Sequence, residues 1–164
     1  MSLPKRLMKA LFLDIDGVLN HLNSPKRNGI WVIDPENVKH LNSICASIPD
    51  LIIVLSSTWR FPHAKGRVDI NKELKDAGYT GPEITEMTTL STRDAFRGQE
   101  IQAWLDEHPE VDSFIILDDD SDMLHLEPRL IQTDFYKGPG LQAHHSEKAI
   151  DMLSNKQEGQ DAML

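Results

Sequence analysis

The 164-residue chain is 40% hydrophobic and 26% charged, an ordinary composition for one globular domain with a sizeable core. Its formal net charge of −9 argues against a broad nucleic-acid or anionic-membrane surface, although a small basic patch beside a site is compatible with it. Cys45 is the only cysteine, so no internal disulfide can form and a cytoplasmic location is expected. No apolar stretch reaches the length of a membrane span, and Asp14 and Asp16 interrupt the first apolar run before it could form a signal peptide.

The first predicted element is a buried strand, the apolar run from Ala10 to Leu13. It stops at Asp14 and Asp16, which are followed at once by Gly17. Residues two apart point to the same side of an extended segment, and two close carboxylates repel each other unless they share a cation or a proton. Oxygen-only ligation of this kind suits Mg²⁺. Taken alone, however, Asp-x-Asp-Gly is better explained as a solvated turn after a strand.

The segment after this strand predicts a short flap and then a helix. Residues 21–33 are rich in turn formers and are locally basic at Lys26 and Arg27, so we expect a loop or hairpin that projects past the strand end. Asp34 is the predicted N-cap of the helix and Pro35 its first residue. The apolar stripe expected to pack on the sheet comprises Val38, Leu41, Ile44, Cys45 and Ile48.

The rest of the chain alternates between predicted strands and helices. A second buried strand, Leu51 to Leu55, ends in Ser56, and a third, Phe114 to Leu117, ends in the acidic run 118–122. The other predicted elements are a helix at about Asp69 to Ala77, a short strand within Ile84 to Met87, a helix at about Gly98 to His108, an edge strand at Leu130 to Thr133, and a last helix capped by Ser146.

This alternation predicts a single Rossmann-like three-layer α/β sandwich with a mostly parallel sheet, a short flap and no large cap. We expect the domain to cover residues 1–154 and a frayed polar tail to cover residues 155–164. The carboxyl ends of parallel strands lie at one edge of the sheet. The polar clusters after the three buried strands should therefore meet there, where ligands bind in open α/β sheets.

Four segments resemble the motifs of the haloacid dehalogenase-like (HAD) superfamily of phosphotransferases, over roughly residues 8 to 153. They are Phe12-Leu-Asp-Ile-Asp-Gly-Val18, Val54-Leu-Ser56, a basic residue opening the third helix, and Ile116-Leu-Asp-Asp119. Three longer stretches look further like the phosphatase-like domains named after Swiss-Army-Knife RNA repair proteins. These stretches are Leu55-Ser-Ser-Thr-Trp-Arg60, Arg97-Gly-Gln-Glu-Ile101 and Leu117-Asp-Asp-Asp-Ser-Asp122.

The resemblance implies a role for each acidic residue. Asp14 is the implied nucleophile, which forms an aspartyl-phosphate, and Asp16 the implied acid and base. The implied Mg²⁺ ligands are Asp14, the backbone carbonyl of Asp16, Asp119 directly, and Asp118 directly or through water. Whether Asp122 also binds the metal stays open at this point.

The resemblance assigns the phosphoryl-binding side chains less completely. It implies that Ser56 hydrogen-bonds a phosphoryl oxygen. The superfamily usually has Lys at the start of the third helix, where this chain has Arg97, whose guanidinium can neutralise the same charge. Lys65 and Arg93 remain the alternatives for that role.

Each site residue also has a plain structural explanation when it is taken singly, but the four motifs together favour a Mg²⁺-dependent phosphomonoesterase. An open site suits a nucleic-acid end or another macromolecule, which Lys26 and Arg27 would guide. A small phosphometabolite is the alternative substrate, and a non-catalytic binding domain is the alternative function. Several other residues are more simply explained by packing or by a surface position than by a role in the site. Trp31, Trp59 and Trp104 are predicted to pack rather than stack on bases, with Trp59 nearest the site, and His144 and His145 are predicted to lie on the surface.

Overall fold

The computed structural model describes residues 7–89 and 95–162, with side chains described to residue 154. The strands of this part of the chain are β1 (Met8–Leu13), β2 (Lys26–Arg27), β3 (Ile30–Trp31), β4 (Ile52–Leu55), β5 (Glu86–Met87), β6 (Val111–Asp118) and β7 (Leu130–Gln132). Its α-helices are α1 (Pro35–Ser47), α2 (Arg60–Ala64), α3 (Ile70–Asp76), α4 (Arg97–Asp106) and α5 (Ala143–Ala162). A 3-10 helix, Leu124–Arg129, precedes β7.

Five strands form one sheet in the order β5-β4-β1-β6-β7, and every neighbouring pair in it is parallel. The central strand β1 is apolar on both faces because helices cover both sides of the sheet. The predicted α/β class is therefore confirmed, and the sheet is parallel throughout.

Side chains alternate between the two faces of the sheet and fill two separate cores. Leu11 and Leu13 pack with α1, α3 and α5, whereas Ala10 and Phe12 pack with α4 and the 3-10 helix. This arrangement is the predicted three-layer sandwich. None of the helices in the described ranges is long and apolar enough to cross a membrane.

The first helix begins as predicted. The Asp34 carboxylate accepts a hydrogen bond from the Glu36 N–H (3.0 Å), and Pro35 is the first helical residue. Four members of the predicted apolar stripe are buried, while Cys45 is half-buried at the margin of the same core. The helix therefore anchors the chain immediately after the flap.

The predicted flap is a two-stranded antiparallel hairpin formed by β2 and β3. Trp31 packs edge-to-face on Phe135, with 4.9 Å between ring centroids, and its indole N–H donates to the Leu22 carbonyl (3.2 Å). Trp104 packs on Phe12 in the opposite core, with 5.4 Å between ring centroids.

The connection between β4 and β5 is short. It contains only the helices α2 and α3, so this described part of the chain holds no cap of domain size.

Two predictions for the last helix are wrong. The helix begins at Ala143 rather than at Ser146, and the Ser146 hydroxyl donates to the His40 carbonyl instead (2.7 Å). His145 is buried rather than on the surface, and its Nδ1 accepts from the Gln142 N–H (2.9 Å). Burial lowers the pKa of His145 to about 4, so this nitrogen stays an acceptor at neutral pH.

The same helix also runs further than expected. It continues to Ala162, so the segment after Asn155, predicted to fray, is helical up to that residue. The division of the chain at residue 154 stays a prediction.

Candidate active site

Strand register brings the predicted site residues to one edge of the sheet. Leu13, the last residue of β1, is in register with Leu55 of β4 and Leu117 of β6. The ladder continues one step further, because the Asp14 N–H donates to the Leu117 carbonyl (3.0 Å) and the Ser56 N–H to the Leu13 carbonyl (2.9 Å). The polar residue that follows each leucine therefore lies beside the polar residue of the neighbouring strand.

Three carboxylates converge at this edge. Asp14 and Asp118 are buried and Asp119 is half-buried, and one oxygen of each lies within 4.8 Å of the others. Asp118 Oδ1 accepts from the Asp120 N–H (2.9 Å), whereas Oδ2 is buried and has no hydrogen-bond partner within residues 7–89 and 95–162. The cluster is thus a set of carboxylate oxygens, one of which is buried and makes no hydrogen bond to the described residues.

Gly17 allows Asp119 to approach β1. Its φ is +87°, and a Cβ at this position would lie 2.2 Å from Asp119 Oδ2, so only glycine fits. The Gly17 carbonyl also accepts a hydrogen bond from the buried Thr133 hydroxyl (2.6 Å), which follows β7. The turn that follows Asp14 and Asp16 is therefore held by a residue that follows the edge strand β7.

Burial and mutual repulsion disfavour the charged form of all three carboxylates. Burial, and then the neighbouring Asp118, raise the pKa of Asp14 well above its usual value, and burial raises the pKa of Asp118 to about 6. Burial likewise raises the pKa of Asp119. A divalent cation would relieve this repulsion, and carboxylate oxygens are the ligands that Mg²⁺ prefers. The residues present therefore fit a magnesium ion.

Arg97 supplies the positive charge of the site. It is the first residue of α4, its side chain is only 17% exposed, and its Nη1 lies 3.4 Å from Asp118 Oδ2 and 3.7 Å from Asp14 Oδ1. The same nitrogen donates to the Ser56 carbonyl. Burial alone would lower the pKa of Arg97, but the Asp118 and Asp14 carboxylates raise it above its usual value. The guanidinium thus stays charged beside the predicted nucleophile.

Asp16 stands apart from the buried cluster on the solvent side. Its Oδ1 accepts from two donors, the Asn20 amide (2.9 Å) and the Trp59 indole N–H (3.1 Å). Asn20 is fully buried and its own Oδ1 accepts from the Gly17 N–H (3.0 Å). One oxygen of Asp16 is therefore fixed by the protein while its carboxylate remains exposed.

The Ser56 hydroxyl is placed for a ligand. Its side chain is buried, and its Oγ makes no hydrogen bond to any of the described residues. Buried hydroxyls normally have a partner, so this one is available to a group bound at the sheet edge. The structure thus brings together the predicted catalytic residues Asp14, Asp16, Ser56 and Arg97, while their roles stay predictions.

The sequence model of the family "HAD domain in Swiss Army Knife RNA repair proteins" matches residues 10–145. The chain belongs to this family. No curated protein matches the chain significantly.

Two solved structures are similar in outline. One is a hypothetical protein from Xanthomonas campestris, at 12% identity and a TM-score of 0.46, covering 98% of this chain and 90% of that one. The other is described as a HAD superfamily (subfamily III A) hydrolase from Legionella pneumophila, at 16% identity and a TM-score of 0.41, covering 94% and 87%. Membership of the HAD superfamily itself indicates a hydrolase, generally a phosphatase.

Two other basic residues of this HAD domain, Lys65 and Arg93, are the alternatives to Arg97 for the charge-neutralising role. Lys65 lies exposed at the end of α2, and no hydrogen bond or ion pair described for it reaches the aspartates. Arg93 lies outside the described residues. Arg97 is therefore the basic residue that the structure places against Asp14.

Asp122 has a structural position in the HAD domain rather than a place in the cluster. Its carboxylate accepts from the Arg97 N–H (3.1 Å) and its carbonyl accepts from the Gly98 N–H (3.1 Å). A Cβ on Gly98 would lie 2.3 Å from the Met123 carbonyl oxygen, so this glycine lets α4 approach the loop after β6 closely. Asp122 thus fixes the start of the helix that carries Arg97.

A buried ion pair behind Arg97 was not predicted. Arg60 and Glu100 are both buried and pair with each other, and Arg60 Nη1 also donates to the carbonyls of Ser56 (3.2 Å) and Ser57 (3.0 Å). Glu100 Oε1 lies 3.9 Å from Arg97 Nε. The pair therefore joins the end of β4 to α4. Both residues occur in the quoted motif stretches, which was the only available signal.

Both basic residues of the flap, Lys26 and Arg27, contact other side chains of the protein. Arg27 Nη2 pairs with Glu73 (3.0 and 3.2 Å), and Lys26 Nζ lies 4.3 Å from the centroid of the Trp31 ring. Arg27 is thus partly neutralised at the surface, while the Lys26 ammonium keeps its charge beside an indole.

Proposed function

We propose that this HAD domain is a Mg²⁺-dependent phosphomonoester hydrolase that acts through an aspartyl-phosphate on Asp14. One observation carries the proposal: strand register places Asp14 beside Ser56 and Asp118, and Arg97 lies against the same carboxylate. A phosphoryl group at this edge would meet a nucleophile, a hydroxyl donor and a fixed positive charge.

In the first half-reaction, an oxygen of the Asp14 carboxylate attacks phosphorus and the bond from phosphorus to the ester oxygen breaks. Asp16, exposed on the solvent side, gives its proton to the departing oxygen. The hydrogen bonds from Asn20 and Trp59 hold one oxygen of Asp16, which leaves the other free to carry that proton.

In the second half-reaction, Asp16 takes a proton from water and the water oxygen attacks phosphorus. The bond between phosphorus and the Asp14 oxygen breaks, which releases inorganic phosphate and regenerates the carboxylate. Arg97 neutralises the phosphoryl oxygens in both steps, and Ser56 donates a hydrogen bond to one of them. A bound Mg²⁺, held by the carboxylates of Asp14, Asp118 and Asp119 and by the Asp16 carbonyl, would supply the charge that lets two anions approach.

The proposed substrate is a phosphorylated nucleic-acid end. The matched family is named for RNA repair proteins, and the described chain between β4 and β5 contains no large cap that would enclose a small molecule. A small phosphometabolite is the competing substrate, and a preference for it in a substrate panel would replace the nucleic-acid proposal.

Chelation tests the reaction class directly. We expect the purified protein to hydrolyse an aryl phosphate with added Mg²⁺, to lose that activity in excess EDTA, and to regain it when Mg²⁺ is restored. The reason is that three crowded carboxylates cannot accept an anionic phosphate without a cation. Initial rates of phosphate release measure the effect, and equal rates with and without EDTA would contradict the metal requirement.

Asn20→Asp should impair the proposed acid more than the nucleophile. The change keeps an acceptor for the Gly17 N–H, but it replaces the donor to Asp16 with a second carboxylate. General acid catalysis contributes about 10²- to 10⁴-fold, so we expect about a 10-fold or greater fall in kcat/KM for an alkyl phosphate. An aryl phosphate has a better leaving group and should lose less.

The ratio of the two kcat/KM values is the measurement for this variant, because misfolding would lower both values equally. Asn23→Asp is the matched control, since Asn23 is an exposed residue of the same loop. An equal loss with both esters would show that Asn20 does not act through Asp16.

A further inference from the structure

An apolar groove opens directly beside Asp16. It has a volume of about 410 Å³ and lies between the β2–β3 hairpin and α2. The apolar side chains that line it are Ile30, Trp31, Trp59, Pro62 and Val68. Ile30 is 68% exposed, so the hairpin leaves an apolar side chain facing solvent at the rim of the groove. Exposed apolar surface next to a polar site commonly marks a ligand position.

The position of the groove identifies which part of a substrate would occupy it. Asp16 belongs to both the groove and the proposed chemistry, where it protonates the departing oxygen. The group that leaves must therefore extend from the Asp16 side. In the proposed reaction the phosphoryl group would bind on the Asp14 side, where Arg97 Nη1 lies 3.7 Å from Asp14 Oδ1.

We propose that this groove is a subsite for the nucleobase of the nucleotide whose phosphate is removed. The inference rests on the proposed phosphatase function and specifies its leaving group. A base is flat and apolar on its faces, which matches a groove walled by two indoles and aliphatic side chains. A bare sugar would place hydroxyl groups against those walls without partners.

The hydrogen bonds of the two indoles support this assignment. The Trp59 N–H is used by Asp16 and the Trp31 N–H by the Leu22 carbonyl, so both rings are fixed in place. They offer the groove carbon surface rather than donors. Recognition of this kind depends on the presence of a base more than on its identity.

Lys26 gives the subsite a positive rim. Its Nζ lies 4.3 Å from the Trp31 ring centroid, at the hairpin that forms one wall of the groove. A second phosphate, one nucleotide further along a strand, would be attracted to this ammonium despite the net charge of −9. The same base subsite would thus serve a free nucleotide or the end of a strand.

The test compares a nucleoside monophosphate with an abasic ribose monophosphate that carries its phosphate at the same position, for the 3′ and the 5′ isomers. We expect kcat/KM to be about 10-fold or more higher for the nucleotide in at least one isomer, the scale of stacking one base. Trp31→Ala and Ile30→Ala should each reduce this ratio at least about threefold. Leu7→Ala, which truncates an exposed apolar side chain away from the groove, should leave it unchanged.

The ratio cancels any general loss of activity, and Ile30→Ala protects the test against misfolding of Trp31→Ala, because Ile30 is an exposed side chain. Hydrolysis of both esters with equal kcat/KM in both isomers would overturn the base subsite alone. No hydrolysis of any ester with Mg²⁺ would overturn the proposed function itself. An end-phosphorylated dinucleotide adds a further arm: an advantage over the mononucleotide that is lost in Lys26→Ala would identify a strand end as the substrate.

Discussion

Asp14→Asn is expected to reduce the hydrolysis of an aryl phosphate by about 10⁴-fold or more, the scale found when a catalytic nucleophile is removed. The amide keeps the shape of the carboxylate and its place at the end of β1, but it cannot attack phosphorus. The measurement is the initial rate of phosphate release with saturating Mg²⁺. Asp106→Asn, the same chemical change on the exposed surface of α4, should retain wild-type turnover.

Thermal unfolding separates this effect from a loss of structure. Burial and Asp118 raise the pKa of Asp14. At a pH above the ordinary pKa of an aspartate, the ionised Asp14 side chain therefore destabilises the folded protein when no metal is bound. Asp14→Asn removes that charge and should raise Tm in EDTA, while Mg²⁺ should stabilise the variant less than the wild type. Full activity in a folded Asp14→Asn protein would exclude Asp14 as the nucleophile.

The sheet edge was predictable because three apolar runs each end abruptly in polar residues. The length of the runs indicates strands, and parallel strands bring their carboxyl ends to one edge of the sheet, so Asp14, Ser56 and Asp118 were expected at the same edge. The order of the strands in the sheet was not predicted. In the observed register Leu13 is paired with Leu55 and Leu117, so the polar residues that follow these leucines lie side by side.

The contacts that support the site were not predictable in this way. The pairing of Arg60 with Glu100 joins residues 40 positions apart, and no periodicity links them. The indole of Trp59, the residue just before α2, donates to Asp16, and α2 is a helix of only five residues that contains Pro62. A helix this short has no apolar repeat from which it could be recognised.

The start of α5 shows the same limit for helix caps. Ser146 has the residue type of an N-cap, but its hydroxyl bonds the His40 carbonyl of α1 instead. The Gln142 N–H at the true start is satisfied by the ring nitrogen of His145, which burial keeps neutral. Cap preferences describe local hydrogen bonds, whereas here packing between α1 and α5 decides which residue is used.

Arg97→Ala is expected to lower kcat/KM for an aryl phosphate by about 10²- to 10³-fold, the usual cost of losing one fixed electrostatic stabiliser. Arg97 Nη1 is the guanidinium atom nearest Asp14, and the phosphoryl oxygens would bind between them. Arg97→Lys should keep part of the activity, because it retains the charge but loses the planar, two-pronged geometry. Steady-state kinetics on the two variants measure the difference.

The location of Arg97 also changes the thermal stability that we expect of the Arg97→Ala protein. From its place in the first turn of a helix alone, Arg97 would be expected to contribute little to thermal stability. In the structure, however, its side chain is only 17% exposed and lies close to both Asp118 and Asp14. Removing it leaves both buried carboxylates without their guanidinium, so Arg97→Ala should lower Tm in EDTA, and saturating Mg²⁺ should restore part of that loss. Lys65→Ala is the matched control, since Lys65 is exposed at the end of α2. If Lys65→Ala lost activity while Arg97→Ala with saturating Mg²⁺ kept it, the charge-neutralising role would belong to Lys65, and the close approach of Arg97 to Asp14 would be structural only.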